Sequence, residues 1–193
     1  YCLWLYRTGN YETAVRNVLK RCRMLFNGET DTKPAPAFYL LACDILAETG
    51  EKEHLKKIVR EMLGLFPGDW QVELKAGVML AVHFQEYSRA QRLIRAVCRS
   101  HAGNADAHFA YGRVLMESGD FSAARDVLLR GWNLLPRDHF CAPACDGARL
   151  LAKCYREMRD SANENKWWQT LLEDSQQLQV QRPASGFYYR GIA

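Results

Sequence analysis

The sequence predicts an all-α fold built from successive pairs of antiparallel helices. Apolar residues recur at helical spacing, as at Leu74 and Val78 and again at Leu93 and Val97. No stretch alternates between apolar and polar residues in the manner of a half-buried strand. The six prolines are expected between helical segments, where the missing N–H does no harm. The chain also repeats itself with a period of about 34 residues.

Composition places the chain among globular proteins. Of its 193 residues, 48% are hydrophobic and 25% are charged, which is enough apolar surface to bury a sizeable core. The net charge of +4 is too small to indicate a nucleic-acid partner by itself. No apolar run approaches the roughly 18 residues of a membrane span, so none is predicted.

The cysteines indicate a reducing compartment. Their number is odd, at seven, and most lie within apolar helical patterns, namely Cys22, Cys43, Cys98 and Cys154. A disulfide framework is instead typical of shorter, loop-rich secreted chains with an even set. With no secretory signal pattern, we expect reduced thiols and a cytoplasmic or nuclear location.

The clearest copy of the repeat runs from residue 105 to 138. It contains the small residue Gly112, the turn Gly119-Asp120-Phe121, the small residue Ala124 and a final Pro136. Small residues let two helices approach closely, glycine permits the turn, and proline ends the second helix. This pattern resembles the tetratricopeptide repeat (TPR) family. The resemblance implies a right-handed superhelical solenoid of antiparallel helix pairs, with Ala124 buried.

Other segments keep the same register. We expect turns between paired helices at Gly9, Gly50, Gln85, Gly119 and Arg159. The predicted organisation is a single array whose parts are a half-repeat at 1–28, a loop at 29–35, repeats at 36–69, 71–104 and 105–138, a loop at 139–144, a degenerate repeat at 145–176, and the start of a further repeat at 184–193.

The two incomplete repeats suggest a fragment of a larger chain. A solenoid repeat buries its apolar face only against its neighbours. We therefore expect contacts to adjoining repeats or to another subunit at both ends.

No catalytic signature is present, so the sequence predicts a protein that is not an enzyme and has no cofactor. Phosphate-binding loops, nucleophile elbows and zinc-protease motifs are all absent. A zinc site is an alternative, since thiolate and imidazole are the ligands that zinc prefers and the sequence offers His139, Cys141, Cys145 and Cys154. Their spacing matches no compact zinc motif. Another alternative is that the arginines beside Cys22 and Cys98 lower the pKa of these thiols and make them reactive. Buried, inert thiols are the favoured interpretation.

The TPR resemblance implies a partner-binding groove lined by the first helix of each repeat. Carrying the family's groove positions onto this sequence gives the predicted site residues, which are Leu40, Asp44, Val72, Lys75, Met79, Phe109, Arg113, Met116, Arg149, Lys153 and Arg156. These residues change from apolar and acidic to basic along the chain. The predicted ligand is a protein or peptide segment that is acidic and has an apolar anchor. The apolar stretch of the groove from Leu40 through Val72 to Phe109 is expected to hold that anchor.

A specialised TPR subclass clamps the carboxylate at a chaperone C-terminus. Only Lys75 matches that subclass here, whereas Met79, Ala110, Asp146 and Leu150 depart from it. A chaperone clamp is therefore disfavoured. A competing interpretation is that the groove cations merely pair with acidic neighbours at Asp106, Glu117, Asp146 and Glu157.

Two further alternatives stay open. A helical-repeat nucleic-acid binder would need a continuous basic lining, which Asp44 and Glu48 interrupt, so nucleic acid is an unlikely partner. The array could instead deliver substrates to a catalytic domain elsewhere in a parent protein. Separately, Arg89, Arg92, Arg95 and Arg99 occupy an arc of about 120° on one helix, which is either a solvated face or a contact for phosphate or an acidic partner.

Overall fold

The computed structural model describes residues 11–26, 34–136 and 142–181. Within these ranges all regular secondary structure is helical, which confirms the predicted all-α class. The helices are α1 (Tyr11–Phe26), α2 (Pro36–Glu48), α3 (Lys52–Leu65), α4 (Trp70–Phe84), α5 (Tyr87–Ser100), α6 (Ala105–Glu117), α7 (Phe121–Asn133), α8 (Ala142–Glu157) and α9 (Ser161–Gln181).

The chain divides into two compact units, Tyr1–Met79 and Leu80–Ala193. In the first unit α2 packs against α1 and α3. In the second unit α6 packs against α5, α7 and α8, and α8 also packs against α7 and α9. Helix α4 contributes residues to both units. The division of the chain into one continuous array of repeats and loops stays a prediction.

Four of the predicted turns share a left-handed backbone at the predicted residue. The φ angles are +73° at Gly50, +57° at Gln85, +83° at Gly119 and +60° at Arg159. At Gly119 the next amide, of Asp120, donates to the carbonyl of Leu115 at 3.0 Å, a hydrogen bond typical of helix C-termini. The turn prediction is thus confirmed at these positions, while Gly9 lies outside the described residues.

Short polar side chains begin several helices. Asp120 accepts a hydrogen bond from the Ala123 amide at 3.1 Å, and Asp160 accepts one from the Asn163 amide at 3.1 Å. Asn104 does the same for Ala107 at the start of α6. These caps satisfy amides that have no partner inside the helix, and they fix where each helix starts.

Two prolines lie inside helices rather than between them. Pro36 is the first residue of α2, and Pro143 is the second residue of α8. Both positions belong to the first helical turn, where an amide has no intrahelical acceptor, so proline is tolerated. Because Pro143 is tolerated there, helix α8 can begin at Ala142, which lies within the segment 139–144 that the sequence predicts as a loop.

Small residues set the spacing of the helices in the second unit. Ala124 is fully buried, as the resemblance implies. A Cβ added at Gly112 would lie 2.4 Å from Cγ of the buried Leu128. Because carbon atoms normally keep about 3.5–4.0 Å apart, only glycine allows α6 and α7 this approach.

Candidate functional site

The candidate site lies on α6 and α8 in the second unit, where a glycine lets the two helices lie side by side. A Cβ added at Gly147 of α8 would be 2.5 Å from Cζ of Phe109 on α6. The ring of Phe109 also faces Gly131 of α7, where an added Cβ would be 2.9 Å from Cε1. Phe109 therefore fills a slot between two positions that lack a Cβ.

Four cationic side chains cluster on these two helices. They are Arg113 on α6 and Arg149, Lys153 and Arg156 on α8, hereafter the basic face. Lys153 and Arg156 are exposed, whereas Arg113 and Arg149 are half-buried. Residues three to four positions apart share one side of a helix, which is why the sequence spacing on α8 collects three of them.

The electrostatics of Lys153 show that the four charges are close together. Partial burial lowers the pKa of the Lys153 ammonium, and the charges of Arg149, Arg113 and Arg156 lower that pKa further. The charge of Glu117 opposes this effect. Within the described part of the chain Lys153 forms no ion pair. The basic face therefore brings like charges close together at Lys153.

Arg149 and Arg156 of the basic face each contact a carboxylate. Nη2 of Arg149 lies 3.3 Å from Oδ1 of Asp146, one turn away on α8. Nε of Arg156 donates to Oε1 of Glu164 on α9 at 2.7 Å, and its guanidinium lies 5.6 Å from the centre of the Trp168 ring. Pairing with the predicted acidic neighbours thus holds for Arg149, whereas Arg156 takes a carboxylate that was not predicted.

The start of α6 and the start of α8 bring two carboxylates together. Burial raises the pKa of Asp106, and the nearby charge of Asp146 raises it further. Asp146 also pairs with Arg149 of the basic face, and Glu117 at the end of α6 acts on Lys153. Acidic and basic side chains are therefore mixed along α6 and α8.

The predicted residues of the first unit form a separate group. Nζ of Lys75 donates to Oδ1 of Asp44 at 2.7 Å, so these two predicted site residues are paired with each other. Leu40 is half-buried, while Val72 and Met79 are buried in the core.

The predicted apolar lining is therefore only partly available to a ligand. Val72 is fully buried and Phe109 is 4% exposed, because both side chains fill the space between helices. Helical periodicity shows that a residue is apolar and on an inner face, but it does not show whether a neighbouring helix covers it. In the second unit Met116 is half-buried and lies one turn from Arg113.

Two residues that shape the candidate site were not predicted from the sequence. Gly147 sets the α6–α8 contact, and its only signal is an isolated glycine within a helical pattern. Glu164 stands where the family has a small residue, and it accepts hydrogen bonds from both Arg156 and Trp168. The departure from the family pattern therefore marks an ion pair between α8 and α9.

The described cysteines are reduced and largely buried. Burial raises the pKa of Cys22 and of Cys43 to about 12, and that of Cys98 and of Cys154 to about 11. These values contradict the alternative of arginine-activated thiols, since the thiolate is the reactive form. Among the described residues no group of three or more histidine, cysteine or acidic side chains could hold a metal ion. Two of the four residues of the alternative zinc site, His139 and Cys141, lie outside the described residues.

Helices long and apolar enough to cross a membrane are absent from the described part of the chain. This agrees with the absence of a long apolar run in the sequence.

Comparisons with known proteins agree with the architecture. Residues 81–139 match a family model described as tetratricopeptide repeat. PilW, a widely conserved type IV pilus biogenesis factor, has a solved structure that is similar with a TM-score of 0.65 at 11% identity, over 97% of this chain and 86% of that one. MamA 41-end from Desulfovibrio magneticus RS-1 gives a TM-score of 0.56 at 16% identity, over 94% and 92% of the two chains. MamA MSR-1 gives 0.55 at 18% identity, over 91% and 93%. No curated protein sequence matches significantly.

The paired helices, their left-handed turns and these likenesses define a helical-repeat protein. The family model matched over residues 81–139 includes Gly119-Asp120-Phe121, Ala124 and Pro136, which confirms the resemblance inferred from these residues. At such low identity the structural likeness shows the fold alone.

Proposed function

We propose that this chain is a non-catalytic scaffold that binds a protein partner, and that the basic face receives an acidic segment of that partner. Helical-repeat arrays characteristically use extended surfaces of this kind for binding. The concentration of cations around Lys153 carries the proposal. Like charges held close together repel one another, and an acidic ligand relieves that repulsion.

The chemistry of the four side chains fits carboxylates. Arginine grips a carboxylate through two parallel hydrogen bonds, and lysine adds a compact charge. Arg149 is 19% exposed in its side chain and is held by Asp146, so its guanidinium is already oriented. The half-buried Met116 offers a soft apolar contact beside Arg113, where the segment's apolar anchor would lie.

The test compares two double variants with equal charge change. Arg113→Glu with Lys153→Glu reverses the basic face, and Arg92→Glu with Arg99→Glu reverses two exposed arginines on α5. The probe is a short fluorescent polyglutamate peptide that contains one leucine. The first variant should lose about tenfold or more in affinity, mainly at low salt, while keeping its helical circular dichroism.

Unchanged affinity in the Arg113 and Lys153 variant would show that the basic face is not the binding site. Equal losses in both double variants would show a general effect of net charge, which also contradicts the proposal.

A further inference from the structure

A second cationic surface lies on α5, a different helix from the two that carry the basic face. The exposed side chains of this helix are Ser88, Arg89, Arg92, Arg95, Ala96, Arg99 and Ser100. No acidic residue and no lysine occurs between Tyr87 and Ser100. The four arginines, hereafter the arginine stripe, extend over about 15 Å of helix axis at about 1.5 Å per residue.

Two members of the arginine stripe are held in place and two have no described partner. Nη1 of Arg89 pairs with Oε2 of Glu86 at 3.1 Å. Nε of Arg95 donates to the hydroxyl of Tyr111 on α6 at 2.6 Å, and its guanidinium lies 5.7 Å from the centre of that ring. For Arg92 and Arg99 the described part of the chain supplies no ion pair or hydrogen bond. Only one of the four charges is therefore neutralised by a neighbouring carboxylate.

We infer that the arginine stripe binds the phosphate backbone of a nucleic acid without reading its sequence. Guanidinium groups match phosphate oxygens through two parallel bonds, and a row of four can follow successive phosphates. Backbone contacts of this kind need only cations and polar groups, which is what this face contains.

The composition of the same face disfavours other partners. Arginine can anchor a protein interface, but tight interfaces also bury apolar or aromatic side chains, and the exposed residues of α5 include no large apolar or aromatic one. A helix that inserts into a membrane surface must expose its apolar side, but Ala90, Ile94 and Val97 of α5 are buried in the core.

This inference revises the sequence-based expectation that nucleic acid is an unlikely partner. That expectation rested on mixed charges along the first helices, at Asp44 and Glu48, whereas α5 is the second helix of its pair. The arginine stripe is independent of the basic face, so either surface can fail its test without the other.

The probe is a fluorescent oligothymidylate of about 20 nucleotides, measured by anisotropy over a series of salt concentrations. Four phosphate contacts on a single strand give a slope of about −2.8 in log affinity against log salt. Arg92→Gln with Arg99→Gln should reduce this slope to about −1.4 and weaken binding roughly 25-fold near 0.1 M salt. Arg113→Gln with Lys153→Gln is the control with the same charge change, and it should keep the original slope.

Three results would overturn the inference. The slope could stay the same in the Arg92 and Arg99 variant, or both double variants could lose affinity equally. Alternatively, the protein could bind vesicles containing phosphatidylserine through the arginine stripe and fail to bind the oligonucleotide. Because both altered arginines are exposed, helical circular dichroism should be unchanged in the variant, and that measurement separates lost binding from lost folding.

Discussion

Replacing Gly147 with alanine should destabilise the second unit, although alanine normally favours a helix. The added Cβ would lie 2.5 Å from Cζ and 2.8 Å from Cε1 of Phe109. The ring has little room to move, because it also packs close to Gly131, where an added Cβ would be 2.9 Å from Cε1 and 3.0 Å from Cδ1. Overpacking of this kind costs about 1–3 kcal/mol, while the gain in helix propensity is about 1 kcal/mol. Because an approach of 2.5 Å is a severe overlap, the cost should lie in the upper half of that range, and the net loss should be about 1–2 kcal/mol.

Gly64 provides the matched control. It lies in α3, is exposed, and an added Cβ would meet nothing within 4 Å. Gly64→Ala should stabilise the protein by about 0.5–1 kcal/mol, since only the propensity term acts there. Urea unfolding followed by circular dichroism measures both variants, and the two midpoints should move in opposite directions.

A double-mutant cycle assigns the cost to the Phe109 ring. Combining Gly147→Ala with Phe109→Leu should recover part of the stability that the two single changes lose separately, because the smaller side chain makes room for the methyl group. If Gly147→Ala is as stable as the parent, or if the cycle shows no coupling, the proposed contact between α6 and α8 is wrong.

The other predictions concern a turn and a half-buried carboxylate. Arg159→Gly should stabilise the protein by about 0.5–1 kcal/mol in urea unfolding, because a φ of +60° strains any residue with a Cβ. The same change at Ser118, whose φ is −86°, should not stabilise it. Burial raises the pKa of Asp174 from 3.8 to about 6, and the nearby Glu173 charge contributes. Its folded state thus binds the proton more tightly, so this carboxyl destabilises the fold increasingly as pH rises from about 4 to 6. Asp174→Asn should therefore raise the melting temperature at pH 7 and lose this advantage near pH 4; a constant difference across that range would contradict the shifted pKa.

The basic face shows where prediction from sequence succeeds and where it stops. The register of the repeat placed Arg113, Arg149, Lys153 and Arg156 on first helices, and these side chains do lie together on α6 and α8. The register could not show that Arg156 pairs with Glu164, because that contact depends on how α9 packs against α8. Nor could it show that Phe109 is enclosed, which depends on two glycines far from it in sequence.

The sequence by itself determined the helices and their turns. Local forces act there: helical periodicity selects the buried side of each helix, and a left-handed residue or a capping aspartate ends or begins it. The same local pattern persists at Gln85 and Arg159, which adopt left-handed backbone without being glycine. Only the tertiary structure decided which apolar side chains stay accessible and which carboxylates the cations of the described helices contact. Those properties depend on the distances between separate helices. Even one methyl group sets such a distance, because the lack of a Cβ at Gly147 is what lets the Phe109 ring lie against α8.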